Sequence, residues 1–198
     1  MRIGVLASQG AFAEHIAIIR RLKQEAFPVR LTRELARLDG LIIPGGESTS
    51  ISKLMSAYNL MGKIKSLAQD GLPVFGTCAG MILMAKDTSD SDAKLLDLMD
   101  ISVRRNAFGR QRESFETRLA ISSLGDEPFP GVFIRAPLIE RVGDDVEVLS
   151  RLSDGTIVAA RQKRLLVSSF HPELTGDLRF HRYFLNIVSN GNSPKPAG

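Results

Sequence analysis

The sequence predicts an α/β protein, with a mostly parallel central sheet, helices on both faces and an antiparallel extension. Three observations carry this. Unbroken apolar runs recur at residues 3–7, 41–43 and 72–75, as strands buried on both faces require. Each run is closed by a glycine-containing turn and followed by apolar residues at helical spacing. From Ile101 the pattern changes to short strand-like segments, some of them alternating, which suits antiparallel pairing.

In chain order, the run at 3–7 is broken by Ser8-Gln9-Gly10. A helix follows with Phe12, Ile16, Ile19 and Leu22 on its apolar side and Glu14, Arg20, Arg21 and Lys23 toward solvent. Residues 28–31 read as a second strand, 34–38 as a brief helical piece and 41–43 as a third strand stopped by Pro44-Gly45-Gly46. Ser48 and Ser50 are candidate N-caps for one long helix with stripe Ile51, Leu54, Met55, Tyr58 and Met61, ending at Gly71. The strand at 72–75 then leads into a turn around Cys78 and a helix starting with Met81. The polar, acidic stretch 87–100 suggests an exposed loop or short helix.

Beyond it, Phe115, Leu119 and Ile121 alternate with Glu116, Arg118 and Ser122. Segments 132–134, 146–148, 156–160 and 165–170 continue the strand series, with Asp154-Gly155 as a hairpin turn. A closing helix over 177–188 turns Phe180, Phe184 and Ile187 inward. Residues 1–190 are expected to form one domain. Residues 191–198, without a large apolar side chain, read as a disordered tail.

Bulk composition narrows the function. At 198 residues the chain is long enough for a full core. Its net charge of +4 comes from basic residues interleaved with acidic ones, so no nucleic-acid surface is expected. No run approaches the ~20 apolar residues needed to cross a bilayer. Residues 1–6 read as a strand and not as a signal peptide. A single cysteine excludes an internal disulfide and a cysteine-rich metal site, and it suits the reducing cytoplasm. Neither a metal nor a cofactor is expected.

That cysteine sits in Gly76-Thr77-Cys78-Ala79-Gly80, between an apolar run and a helical one. The spacing is the thiol version of a nucleophile elbow, where only small neighbours fit. A helix start beside the sulfur favours the thiolate. On its own, Cys78 could equally be a small buried residue.

The chain has three histidines. His15 lies on the first helix, where a surface or partner-contact role is the default, and His181 on the last, where a structural role is. His171 follows an apolar strand in Phe170-His171-Pro172-Glu173. Pro172 biases its predecessor toward an extended backbone, so His171 and Glu173 can share a side. Cysteine, histidine and a carboxylate that orients the histidine suit acyl transfer through a thioester.

These motifs resemble those of the class I glutamine amidotransferases. Gly-x-Cys-x-Gly and His-x-Glu are shared widely. Five further stretches narrow the likeness to the glutaminase subunits of pyridoxal 5'-phosphate synthases: Gln9-Gly10 with Glu14-His15; residues 44–49; Arg105-Asn106; residues 108–111; and residues 131–137. Ser8 departs from the larger apolar residue that more often precedes Gln-Gly in that family.

The resemblance implies a flavodoxin-like three-layer fold and hydrolysis of L-glutamine to glutamate and ammonia by Cys78, His171 and Glu173. It implies backbone N–H groups of Gly46 and Ala79 as the oxyanion hole, and Gly46, Glu47, Ser48, Arg105, Ile134 and Arg135 as glutamine contacts. Its implied partner is a (βα)8-barrel synthase subunit that receives the ammonia. Two other readings stand beside this one: an amidotransferase serving another acceptor, which keeps Cys78, His171 and Glu173, and a non-catalytic thiol sensor, in which His-Pro-Glu would have no purpose.

Overall fold

The computed structural model describes residues 1–89, 93–105 and 114–190. Asn106, residues 108–111 and the proposed tail 191–198 lie outside the described residues.

Strands β1 (Arg2–Leu6), β2 (Glu25–Val29), β3 (Gly40–Ile43), β4 (Val74–Thr77) and β12 (Leu165–Ser168) run parallel, in the order β2-β1-β3-β4-β12. Beyond β12 the sheet turns antiparallel through β11 (Ile157–Gln162), β9 (Leu138–Val142) and β6 (Met99–Arg104). Strand β5 (Ala85–Thr88) pairs parallel at that edge, and β10 (Glu147–Arg151) pairs with β11 through the turn at Asp154-Gly155. Among the described residues the sheet has 10 strands, and β7 (Ser114–Leu119) and β8 (Phe129–Ile134) form a separate hairpin.

The mostly parallel sheet with its antiparallel extension is as expected. Successive strand residues supply opposite faces. Ile42 and Phe75 pack with Ile16 and Ile19 of α1 (Phe12–Arg21) and Phe180 and Phe184 of α5 (Arg179–Asn190). Leu41, Ile43 and Val74 pack on the other face, with Ile51 and Met55 of α2 (Ser48–Ala57) and Ile64 of α3 (Leu60–Gln69).

Several local expectations are corrected. The long helix is two, because Asn59 adopts a left-handed φ of 55° between α2 and α3, which leaves Tyr58 51% exposed. Neither serine caps α2. The Glu47 side chain does, accepting from the backbone N–H groups of Thr49 (2.9 Å) and Ser50 (2.7 Å). The second strand begins earlier than 28, since its register against β1 starts with Glu25 opposite Arg2. The helical piece is a 3-10 turn at Thr32–Leu35. Within 87–100, β5 and β6 claim the two ends, and Ala93 and Leu96 are buried, so the described part is not an exposed loop.

The parallel strands all deliver their carboxyl ends to one edge. The 8–10 turn, the 44–47 turn, Cys78 and residues 169–173 meet there, as ligand sites in such sheets do.

Candidate active site

Strand β4 hands over to the short helix α4 (Ala79–Met84) through Cys78, whose backbone has φ 50° and ψ −104°. Such angles are rare for a residue with a side chain and signal strain held at a functional turn. The neighbours that allow it are small for measurable reasons. A Cβ on Gly76 would lie 2.7 Å from the Gly80 carbonyl and from Met84 Sδ, and one on Gly80 would overlap the Ile43 carbonyl oxygen. The Cys78 N–H donates to Ser168 O at 2.8 Å, tying the elbow to β12.

That strand also delivers the imidazole. The His171 N–H donates to Val132 O of β8 at 2.8 Å, and Nδ1 lies 2.7 Å from Glu173 Oε1. The pairing is as expected, but its cause is different. Pro172–Leu174 forms a 3-10 turn, and that turn, not an extended strand, folds the carboxylate back onto the ring. Burial opposes charge on His171, but hydrogen bonds to Cys78 and Glu173, and their charges, raise its pKa to about 10. The imidazole is therefore held as a cation facing the thiol.

A cavity of about 350 Å³ opens over these groups. It is lined by Gly46, Glu47, Ser48, Cys78, Ala79, Arg105, Ile134, Arg135 and His171, together with Ile82, which sequence reasoning did not single out. Of the expected site residues, only Glu173 is absent from the lining, because it is buried behind His171. Sγ of Cys78 lies 4.0 Å from Ile134 O. Arg105 bridges Glu47 at 3.2 Å. Hydrogen bonds, first from the Ser50 hydroxyl and then from the Thr49 and Ser50 backbone, outweigh burial and pull the Glu47 pKa down to about 2. Ser48 Oγ is buried and finds no hydrogen-bond partner among the described residues.

His15 is corrected most. It is fully buried, with Nδ1 2.9 Å from Nε2 of His181, itself fully buried, and Nε2 3.4 Å from Glu173 Oε2. Its position was legible: residue 15 stands three after Phe12 and four before Ile19, inside the apolar stripe. No group of three or more acidic, histidine or cysteine side chains among the described residues could hold a metal ion.

Fold and cluster together define a class, the α/β amidotransferases that work through a cysteine. The model of the SNO glutamine amidotransferase family matches residues 5–190, and the chain belongs to that family.

Among similar proteins, the "Pyridoxal 5'-phosphate synthase subunit PdxT" of Dehalococcoides mccartyi is 58% identical over 96% of this chain and 98% of its own. Its namesake from Geobacillus thermodenitrificans is 55% identical over 98% of both chains. A crystal structure described as a glutamine amidotransferase superposes with TM-score 0.89 at 48% identity, covering 94% of this chain and 98% of that one. A PurLQS structure from Thermotoga maritima (TM-score 0.69, 15% identity, 94% of this chain and 98% of that one) shares the fold alone.

Proposed function

We propose that residues 1–190 act as one glutaminase domain, which hydrolyses L-glutamine and passes ammonia to a pyridoxal 5'-phosphate synthase partner. The observation that carries this is the His171 imidazole, anchored on Glu173 at 2.7 Å and lining one cavity with Cys78. The thiolate is the nucleophilic form of a cysteine.

Cys78 Sγ attacks the carboxamide carbon of glutamine, and the carbonyl oxygen gains negative charge. Backbone N–H groups of Gly46 and Ala79, which border the cavity, serve as its donors, each worth about 3 kcal/mol in the transition state. His171 gives its proton to the nitrogen, the C–N bond breaks and ammonia departs. A glutamyl thioester remains on Cys78. His171 then takes a proton from water, the hydroxide attacks the thioester, and glutamate and the thiolate are released, with the proton back on the ring.

Around this chemistry, Arg105 and Arg135 suit the α-carboxylate through their planar forks. Ionised Glu47 brings negative charge to the rim for the α-ammonium group, and the Ser48 hydroxyl, without a partner among the described residues, is a polar contact for the substrate. Ile134 closes the wall over the sulfur.

The named relatives are subunits of pyridoxal 5'-phosphate synthase, which supports a synthase partner for this chain. That partner is a (βα)8-barrel subunit docking beside Gln9-Gly10 and the elbow, where ammonia joins a pentose phosphate and a triose phosphate away from water. The single thiol suits the reducing cytoplasm. Among the described residues no helix is long and apolar enough to cross a membrane.

Ammonia release from L-glutamine, with and without the synthase subunit, tests the proposal. The expected result is release by the wild-type complex, little from the isolated chain and none with Cys78→Ala. Full activity of the isolated chain would contradict activation by the partner. Release by Cys78→Ala would contradict the thioester route.

A further inference from the structure

Behind the proposed catalytic groups lies a second, wholly buried pair that the mechanism above does not use. His15 comes from α1 and His181 from α5, so two helices on one face of the sheet converge under the carboxyl end of β4. Both rings are 0% exposed and rest against Phe75, at centroid separations of 6.1 and 5.9 Å. A polar pair in such an apolar setting costs stability, so its hydrogen bonding must be accounted for.

The partners bear on the tautomers. Burial disfavours charge on both rings, and at His15 positive charge on either neighbouring histidine would disfavour it further, so the pair is read as neutral. One N–H must therefore be shared between His15 Nδ1 and His181 Nε2, 2.9 Å apart.

If His15 supplied it, the bare Nε2 of His15 would face the Glu173 carboxylate, and the Nδ1–H of His181 would be a buried donor. That nitrogen has no partner among the described residues. If His181 supplies it, Nε2 of His15 carries hydrogen and points to Glu173 Oε2 and Thr77 Oγ1, each at 3.4 Å. The second arrangement removes the first penalty and leaves His181 Nδ1 a bare acceptor, still without a partner among the described residues. It also answers a question about Glu173. Oε1 is taken by His171, while Oε2 is buried with no well-formed hydrogen bond among the described residues. His15 is the donor that approaches it.

We propose that His15 is a positioning residue for the reaction, its Nε2–H holding Glu173 Oε2 in place while His181 locks the tautomer that makes this possible. The effect on the chemistry is indirect. A carboxylate gripped at both oxygens cannot rotate away from His171 Nδ1, so the ring keeps its other nitrogen toward the sulfur. The same Nε2–H reaches Thr77 Oγ1, which accepts from the Gly45 N–H at 3.0 Å, so the wall beside His171 hangs from the same point. This inference rests on the reading of Cys78, His171 and Glu173 as the reacting set.

Two substitutions separate this role from simple packing. His15→Asn places its amide where Nδ1 stood, keeping the contact with His181 but not reaching Glu173. His15→Gln places a donor near the position of Nε2 and does reach it. Two readouts are taken on the full chain with thermal melts. One is kcat and KM for glutamine in the presence of the synthase subunit. The other is the rate of Cys78 alkylation by iodoacetamide, which needs neither glutamine nor partner.

The expected result is a kcat loss of about 10- to 100-fold for His15→Asn, with KM nearly unchanged and slower alkylation. His15→Gln recovers most of both. Equal losses in the two variants, or a better His15→Asn, would overturn the proposal. If His15→Asn does not fold, His181→Leu carries the test: lower kcat at constant KM supports the tautomer lock, and wild-type kcat overturns it. A wild-type complex that alkylates normally but hydrolyses no glutamine would fail the glutaminase reading, while the alkylation order still decides the role of His15.

Discussion

Gly45 lies so close to His171 that a Cβ on it would overlap ring atom Cε1 and sit 3.1 Å from Nδ1, while touching Cys78 Cβ at 3.3 Å. The exit from β3 is therefore a wall of the thiol–imidazole pair as well as a turn. Gly10 presses on it from behind, since a Cβ there would overlap the Gly45 carbonyl oxygen.

Gly45→Ala is expected to displace the imidazole. Because a shift of about 1 Å can cost roughly 100-fold in rate, glutamine hydrolysis should fall by about that factor. Ammonia release measured beside a thermal melt checks this. Loss of activity with a nearly unchanged melting temperature is the expected pair of results.

The charge on His171 makes stability depend on alkaline pH. Its folded pKa, about 10, lies above the ordinary 6.5, so the native state holds the proton more tightly than the unfolded chain. That contribution is full below pH 6.5 and is lost as pH rises toward 10, with a slope of at most about 1.4 kcal/mol per pH unit. Denaturant titrations of wild type and His171→Gln should converge across this window. A constant gap would contradict the assignment.

The neutral histidine pair has the opposite sign. His181 has its pKa pushed down to about 3 by burial, so the unfolded chain binds a proton that the native one refuses. This contribution is present above pH 6.5 and is lost as pH falls toward 3. The wild type should thus lose stability on acidification more steeply than His181→Phe, as read by melting temperature at pH 7, 5 and 4.

Much of this arrangement was legible in the sequence because it rests on local rules. Apolar runs closed by glycine gave the parallel strands, and the elbow spacing and the His-Pro-Glu segment gave the cluster. What escaped depended on contacts between distant segments. Strand β9 was missed because Glu140 and Arg141 interrupt its apolar pattern, and it exists through its pairing with β6. Strand β5 begins where the short helix α4 stops, and no proline or glycine marks that boundary. His15 was misplaced because a histidine on a helix looks like a surface residue until its stripe is counted and His181, 166 residues away, is found against it.

Glu47 joins local stability to substrate binding, and its role as N-cap separates the two effects. Glu47→Ala removes the acceptor for two backbone N–H groups and the Arg105 bridge. A lost cap costs about 1 kcal/mol. A modest drop in melting temperature with a raised KM for glutamine is expected, and Glu47→Asn should restore stability more than KM.

The most direct test of the central claim is the intact mass of the protein after treatment with a glutamine analogue that alkylates thiols. The account predicts a single adduct on wild-type protein, mapped to Cys78, absent from Cys78→Ala and formed much more slowly by His171→Ala. An adduct that persists in Cys78→Ala, or equal rates with and without His171, would contradict it.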